Sequence, residues 1–298
     1  MPGPMTAGKG TALTGIACVV MAGLCFAILD SITKIVVLAV PILMALWVRY
    51  LAQALVTTVV LGPRHGATLW RTRAPGLQLL RGALLVVTTL LAYLSLRHVS
   101  VGEFTAIVMV TPLMVTMMSV LLFKERVAPL QWLFVVGGFA GTLVIVRPGG
   151  TNFGWAMLLP VGVMLCNSAF QLLTARLARV DNAATTHFLS GWVGATMVSL
   201  ALPFAWAQVD SPLLWLFMLI MGFLAATGHF MLAQAYQHAP SATLMPYLYG
   251  QVGFAVIAGW LIFSHLPDRW SLVGISLIAV CGVASAWVTA QRVRNLTR

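Results

Sequence analysis

Six polar side chains fall in the middle of long apolar stretches of this 298-residue chain: Arg49 and Gln53, Asn167 and Gln171, His229, and Gln251. Tyr93, Tyr247 and Tyr249 lie at similar depths. Amides, phenols and one guanidinium hold a ligand by hydrogen bonds and charge, without the acid–base or nucleophile–base pairing that breaks bonds. Asn167 and Gln171 are four apart and share one helical face, and Arg49 offers a carboxylate a bidentate grip. Rings mixed with amides suit a small zwitterion with an apolar side chain. Plainer roles stay open. The amide pair can simply tie helices together, worth about 0.6 kcal/mol per bond. Gln251 and Tyr247 follow Pro246 and can serve the carbonyls that a proline frees, and Arg49 can pair with another helix.

Those residues need long apolar helices around them. Of the residues, 60% are apolar and 8% charged, against about 25% charged in a soluble domain. Apolar runs long enough to cross about 30 Å of hydrocarbon recur throughout. We read ten spans, at roughly 11–37, 41–62, 76–97, 102–123, 128–147, 152–178, 184–207, 212–237, 241–264 and 269–291. The connections are short, which makes successive helices antiparallel neighbours. The first run continues through Asp30 and Lys34 and is expected to stay as a helix, not to be cleaved as a signal peptide. Pro112, Pro160 and Pro246 fall inside spans, where lipid cannot satisfy the freed backbone.

Lys and Arg in alternate connections number eleven on one side (Lys9, Arg64, Arg71, Arg73, Lys124, Arg126, Arg176, Arg179, Arg292, Arg294, Arg298) and four on the other (Lys34, Arg97, Arg147, Arg269). That bias places both termini in the cytoplasm and accounts for the net charge of +11 without nucleic acid, whose basic stripe is missing. The hairpin 92–126 is echoed loosely by 232–269, with His98 on His238 and Phe123 on Phe263. Five spans per copy is odd, so two copies enter the membrane in opposite senses. The expectation is an all-α integral membrane protein of ten transmembrane helices in two inverted five-helix repeats, 1–150 and 151–298. Such repeats recur in secondary transporters, with the site between them at the midplane.

The stretch Glu103–Val146 has a proline midway along the fourth span (Pro112), an acid at its end (Glu125) and spaced glycines in the fifth (Gly137, Gly138, Gly141). With the ten-span plan, this resembles the EamA-type members of the drug/metabolite transporter superfamily, and among them the YddG-like exporters of aromatic and other amino acids. The second copy departs, with Ser264-His265 where the pattern has Gly-Glu. The resemblance implies alternating access through a central cavity in a bacterial inner-membrane monomer that exports neutral amino acids or related metabolites. Pro112 and Pro246 would be the bending points, and Asn167, Gln171, His229, Tyr247, Tyr249, Gln251, Tyr93 and Arg49 would contact substrate.

Asp30 and Lys34, four apart near the outer end of the first helix, read as an interfacial ion pair or a gate contact. Arg81, Arg97, Arg147 and Arg176 read as reaching headgroups, Glu103 as a charge at a helix start, and Gly137 with Gly141 as an internal packing seam. The four cysteines lie inside apolar runs without metal spacing and read as packing residues, so neither metal nor cofactor is expected. No G-x-x-x-x-G-K-S/T loop for ATP occurs. With no acid read deep in a span, transport is expected to be passive. The alternatives are a proton-coupled multidrug or metabolite efflux carrier and, in another class, a membrane enzyme on lipid substrates, which would need clustered carboxylates that the sequence does not offer.

Overall fold

A computed structural model describes residues 9–123, 129–147, 154–177, 180–238, 244 and 247–296. Among these, eleven α-helices follow one another: α1 Lys9–Ala39, α2 Ile42–His65, α3 Pro75–His98, α4 Val101–Val108, α5 Thr111–Phe123, α6 Pro129–Val146, α7 Leu159–Leu177, α8 Ala183–Ala201, α9 Pro212–His238, α10 Gly250–Phe263 and α11 Arg269–Leu296. Taking α4 and α5 as one span gives ten crossings, of which eight are single helices long and apolar enough to span a bilayer. Leucines, valines and tryptophans exposed around the bundle, such as Leu38, Val59, Leu133, Leu200 and Trp287, face lipid. Gly141 and Glu125 divide the glycine and acid expectations: Glu125 and Pro246 lie outside the described residues.

The sequence chooses its helix ends by capping. Ser100 accepts the Glu103 amide at the start of α4, Asn182 accepts the Thr185 amide at 2.6 Å to open α8, and Asp268 accepts the Ser271 amide at 2.7 Å to open α11. Pro160, read as interrupting a span, instead stands in the first turn of α7 behind a 3₁₀ turn at Trp155–Leu158, where a missing N–H costs little. Pro112 does interrupt its span. The carbonyl it would have bonded, on Val108, accepts the Thr111 hydroxyl at 2.6 Å, so the break between α4 and α5 leaves that group satisfied.

Successive helices are not the main packing partners expected from short connections. The most extensive contacts are α1 with α9, α6 with α11, α3 with α7, and α2 with α8 and α9. Lipid gives no hydrophobic push between helices, so close approach at small residues decides the partner. At the α6–α11 crossing, a Cβ on Gly141 would stand 2.9 Å from the Gly274 carbonyl and one on Gly274 would stand 2.6 Å from the Gly141 carbonyl. Gly137 faces Cys281 in the same crossing, so this glycine face is an internal seam. Numbering the spans one to ten, adding five to each member of the most extensive contacting pairs gives another contacting pair: first–eighth becomes sixth–third, second–eighth becomes seventh–third, and first–ninth becomes sixth–fourth.

Two layers of polar contacts tie the ends. At the end bearing Gly66–Trp70, called proximal here, the Asp181 carboxylate accepts from the Thr72 hydroxyl, the Arg73 amide at 3.0 Å and the Gln78 amide at 2.8 Å. Desolvation raises the Asp181 carboxyl, but these three donors outweigh it and hold it below the ordinary carboxylate range. A carboxyl depressed by folding stabilises fully above its unfolded value, about 3.9, and loses that contribution as pH falls through the folded value. The melting temperature of Asp181→Ala is therefore expected below wild type at pH 7, with the gap closing in scans below about pH 4. A gap independent of pH would exclude the charge as its cause. At the distal end, Glu103 accepts from Ser100 at 2.7 Å and Ser271 at 2.5 Å, and Arg147 pairs with Asp268 at 2.5 Å instead of reaching for headgroups.

Candidate substrate site

The candidate site forms where α1, α2, α3, α8 and α9 meet inside the bundle. Arg49 of α2 is fixed by its neighbours' backbone: α9 presses on α2 at Gly222, where a Cβ would stand 2.9 Å from the Arg49 carbonyl. The next residue, Tyr50, is fully buried, packs on Gly194 of α8 and bonds Thr89 of α3 at 2.9 Å. Arg49 itself is 5% exposed, and its guanidinium lies 5.0 Å from the Tyr50 ring. Its Nε and Nη1 have no hydrogen-bond partner, and neither do the Gln53 Oε1, the Tyr93 hydroxyl and the His187 Nε2. Buried polar atoms are ordinarily paired, so these unpaired ones make this place the candidate site.

Rings run alongside. Phe26 of α1 meets His229 of α9 edge-on at 5.0 Å, and His229 stands 6.2 Å from His187 of α8. Further toward the proximal end, Arg81 of α3 lies 4.3 Å from the Phe170 ring and donates to Thr174 at 2.7 Å, the Thr186 carbonyl at 3.1 Å and the Ser190 hydroxyl. Arg81 was expected to reach the headgroups. It is 7% exposed because neutral oxygens of α7 and α8 offer it bonds within the protein.

Asp30 is the other departure. It lies nine residues before α1 ends at Ala39, about 13 Å along the helix, so it is deep in the span and not at its edge. It interacts electrostatically with Arg49, and Tyr93 and Thr105 are its neighbours. Lys34 does not pair with it. The longer lysine stem carries Nζ to the distal end of α3, where it donates to the Leu96 and Val99 carbonyls at 3.0 and 2.6 Å, a favourable place for a cation. Passive transport, inferred from spans free of acid, thereby loses its premise.

The remaining candidates divide. Tyr93 and His229 join the cluster. Gln251 lies against Gly23 of α1, near Phe26. Gln171 is exposed on α7, with half-buried Asn167 one turn before it. Tyr249 is not part of the cluster: its ring packs on Gly282 in the α10–α11 core, because that glycine leaves room for it. Tyr247 is 44% exposed, three residues before α10 begins. His187, four residues into α8, was missed as too near a span boundary; its spacing with Thr186 and Ser190 was the available signal. At the distal end a cavity of about 310 Å³ is lined by Lys34, His98, Ser100, Phe263, His265 and Pro267 among others. Among the described residues, no three His, Cys, Asp or Glu are placed to hold a metal ion.

Residues 13–147 match the model of the EamA-like transporter family. The chain is 29% identical over 296 residues to a riboflavin transporter of Vibrio cholerae serotype O1, covering 95% of this chain and 97% of that one. It is 30% identical over 270 residues to a riboflavin transporter of Rhizobium johnstonii, covering 90% and 89%. A solved crystal structure superimposes with a TM-score of 0.64 at 19% identity, over 96% of this chain and 99% of the other.

Proposed function

Since the chain belongs to the EamA-like transporter family, and is thus an integral membrane transporter of small molecules and not an enzyme, we propose that its cargo is a flat heteroaromatic metabolite of the riboflavin type. The observation that carries this reading is the row of rings Phe26, His229 and His187 set beside unpaired polar atoms of Arg49, Gln53, Tyr93 and His187. Aromatic rings favour one another at centroid distances of about 4.5–7 Å, and amide and guanidinium donors orient the polar edge of a ring. The two full-length riboflavin-carrying relatives support the same cargo.

The carrier works by alternating access in the bacterial inner membrane. The proximal end, with most of the Lys and Arg, faces the cytoplasm. Two inverted repeats, 1–150 and 151–298, move against each other; the five-span shift that maps contacts onto contacts supports this division. Pro112 serves as a bending point, and Lys34 as a distal latch between α1 and α3. A second reading, the export of neutral amino acids, is favoured by the unpaired N–H groups of Arg49, since a carboxylate is a strong acceptor for a guanidinium. Counterflow in proteoliposomes separates the two. Labelled riboflavin is expected to exchange against internal riboflavin and to be undisturbed by excess phenylalanine or leucine. Exchange of the amino acids without exchange of riboflavin would overturn the flavin reading.

A further inference from the structure

Asp30 and Arg49 carry opposite charges within electrostatic reach of each other, yet they form no ion pair. A charge in the hydrocarbon region is costly and ordinarily takes a partner within the protein. Here the guanidinium keeps Nε and Nη1 without an acceptor while 5% exposed. Arg49 is held back from Asp30 by its own surroundings, the Gly222 crossing behind it and the Tyr50 ring beside it. The outcome is a strong donor and a strong acceptor within electrostatic reach that do not consume each other.

The matching ligand edge presents acceptor and donor side by side. Phe26 narrows the choice. It lies four residues before Asp30, on the same face of α1, so the acceptor stands one turn beyond an aromatic ring that itself meets His229. A ligand seated on those rings would reach Asp30 and Arg49 with the rim of its own ring system. An ammonium and a carboxylate borne on a flexible side arm would not lie in that plane. The two protein charges also cancel, which suits cargo of no net charge.

We propose that Asp30 and Arg49 together read the imide rim of a flavin ring, the N–H flanked by two carbonyls. Arg49 donates one N–H to a flanking carbonyl oxygen, and Asp30 accepts the imide N–H. The inference rests on the flavin reading and deepens it, since methylating the imide nitrogen removes one donor and leaves the ring stack and polyol untouched.

The test is counterflow competition by riboflavin and by its imide-N-methyl derivative, in wild type, Asp30→Asn and Asp30→Ala. In wild type the methylated compound is expected to compete about tenfold or more weakly, as for a hydrogen bond to a charged group. In Asp30→Ala the two compounds should compete equally, because the partner of the N–H is gone, and Asp30→Asn, which keeps an acceptor oxygen, should fall between. Equal competition in wild type would overturn the proposal while leaving the flavin reading standing, as would a methylation penalty undiminished in Asp30→Ala. Should neither alanine nor asparagine variant fold, the wild-type comparison decides alone. Failure of riboflavin itself to exchange in wild type would remove the flavin reading and this inference together.

Discussion

Arg49→Gln is expected to lower riboflavin counterflow at subsaturating substrate by roughly ten- to a hundredfold, the cost of one hydrogen bond from a charged donor at about 1.5–3 kcal/mol. Two N–H groups of Arg49 stand unpaired at the candidate site, and glutamine offers a single, shorter, uncharged amide in their place. Removing the cation also leaves Asp30 without its opposing charge, so some loss of folded protein accompanies the substitution. Arg49→Lys separates the two effects. It retains the charge and should preserve insertion and thermal stability, but it replaces the planar fork with a point charge. Transport should remain down by about tenfold. Wild-type counterflow in Arg49→Lys would show that charge alone, and not the fork, is what the position supplies.

Gly141→Val abolishes most of the folded protein. The backbones of α6 and α11 touch at this point, with the Gly274 carbonyl 2.9 Å and the Ile278 side chain 2.7 Å from where a Cβ would stand. Backbone cannot turn aside as a side chain can, so a branched residue forces the two helices apart along their whole crossing. Overpacking costs about 1–3 kcal/mol in an adaptable core, and this site has less room to adapt. Gly253→Ala is the control. Nothing lies within 4 Å of a Cβ there, and a helical glycine replaced by alanine gains roughly 0.5–1 kcal/mol. Size-exclusion profiles in detergent and melting temperature read both. A monodisperse Gly141→Val with a wild-type melt would contradict the crossing described above.

How much of this was legible in sequence differs between backbone and site. Span number came from hydropathy, because a bilayer leaves the backbone few options. Pro112 signalled a break, and the Thr111 hydroxyl that heals it stands next to it in the chain. What sequence could not supply was which helix lies beside which. Asp30 and Lys34 are four apart, and local spacing favours pairing them; the carbonyls that take Lys34 belong to α3, 62 and 65 residues away. Arg81 looked like an interfacial residue for the same reason, since its acceptors belong to α7 and α8. Tyr249 was grouped with the site by depth alone, and depth does not say which side of its helix faces the glycine at 282. Tyr93, His229 and Arg49 were recoverable because a polar group deep in a span has few places to go except inward.

The interleaving of early and late helices bears on how the chain is made. Arg81 finds Thr174, Thr186 and Ser190 at separations of 93, 105 and 109 residues, and α1 and α2 likewise wait for α9. While the ribosome is still translating the second half, the nascent first half is already threaded through the membrane with its cations and amides unmatched. Its insertion is provisional until the later helices slot between the earlier ones, and a polypeptide halted at midpoint would be recognisable to quality-control proteases by those stranded groups.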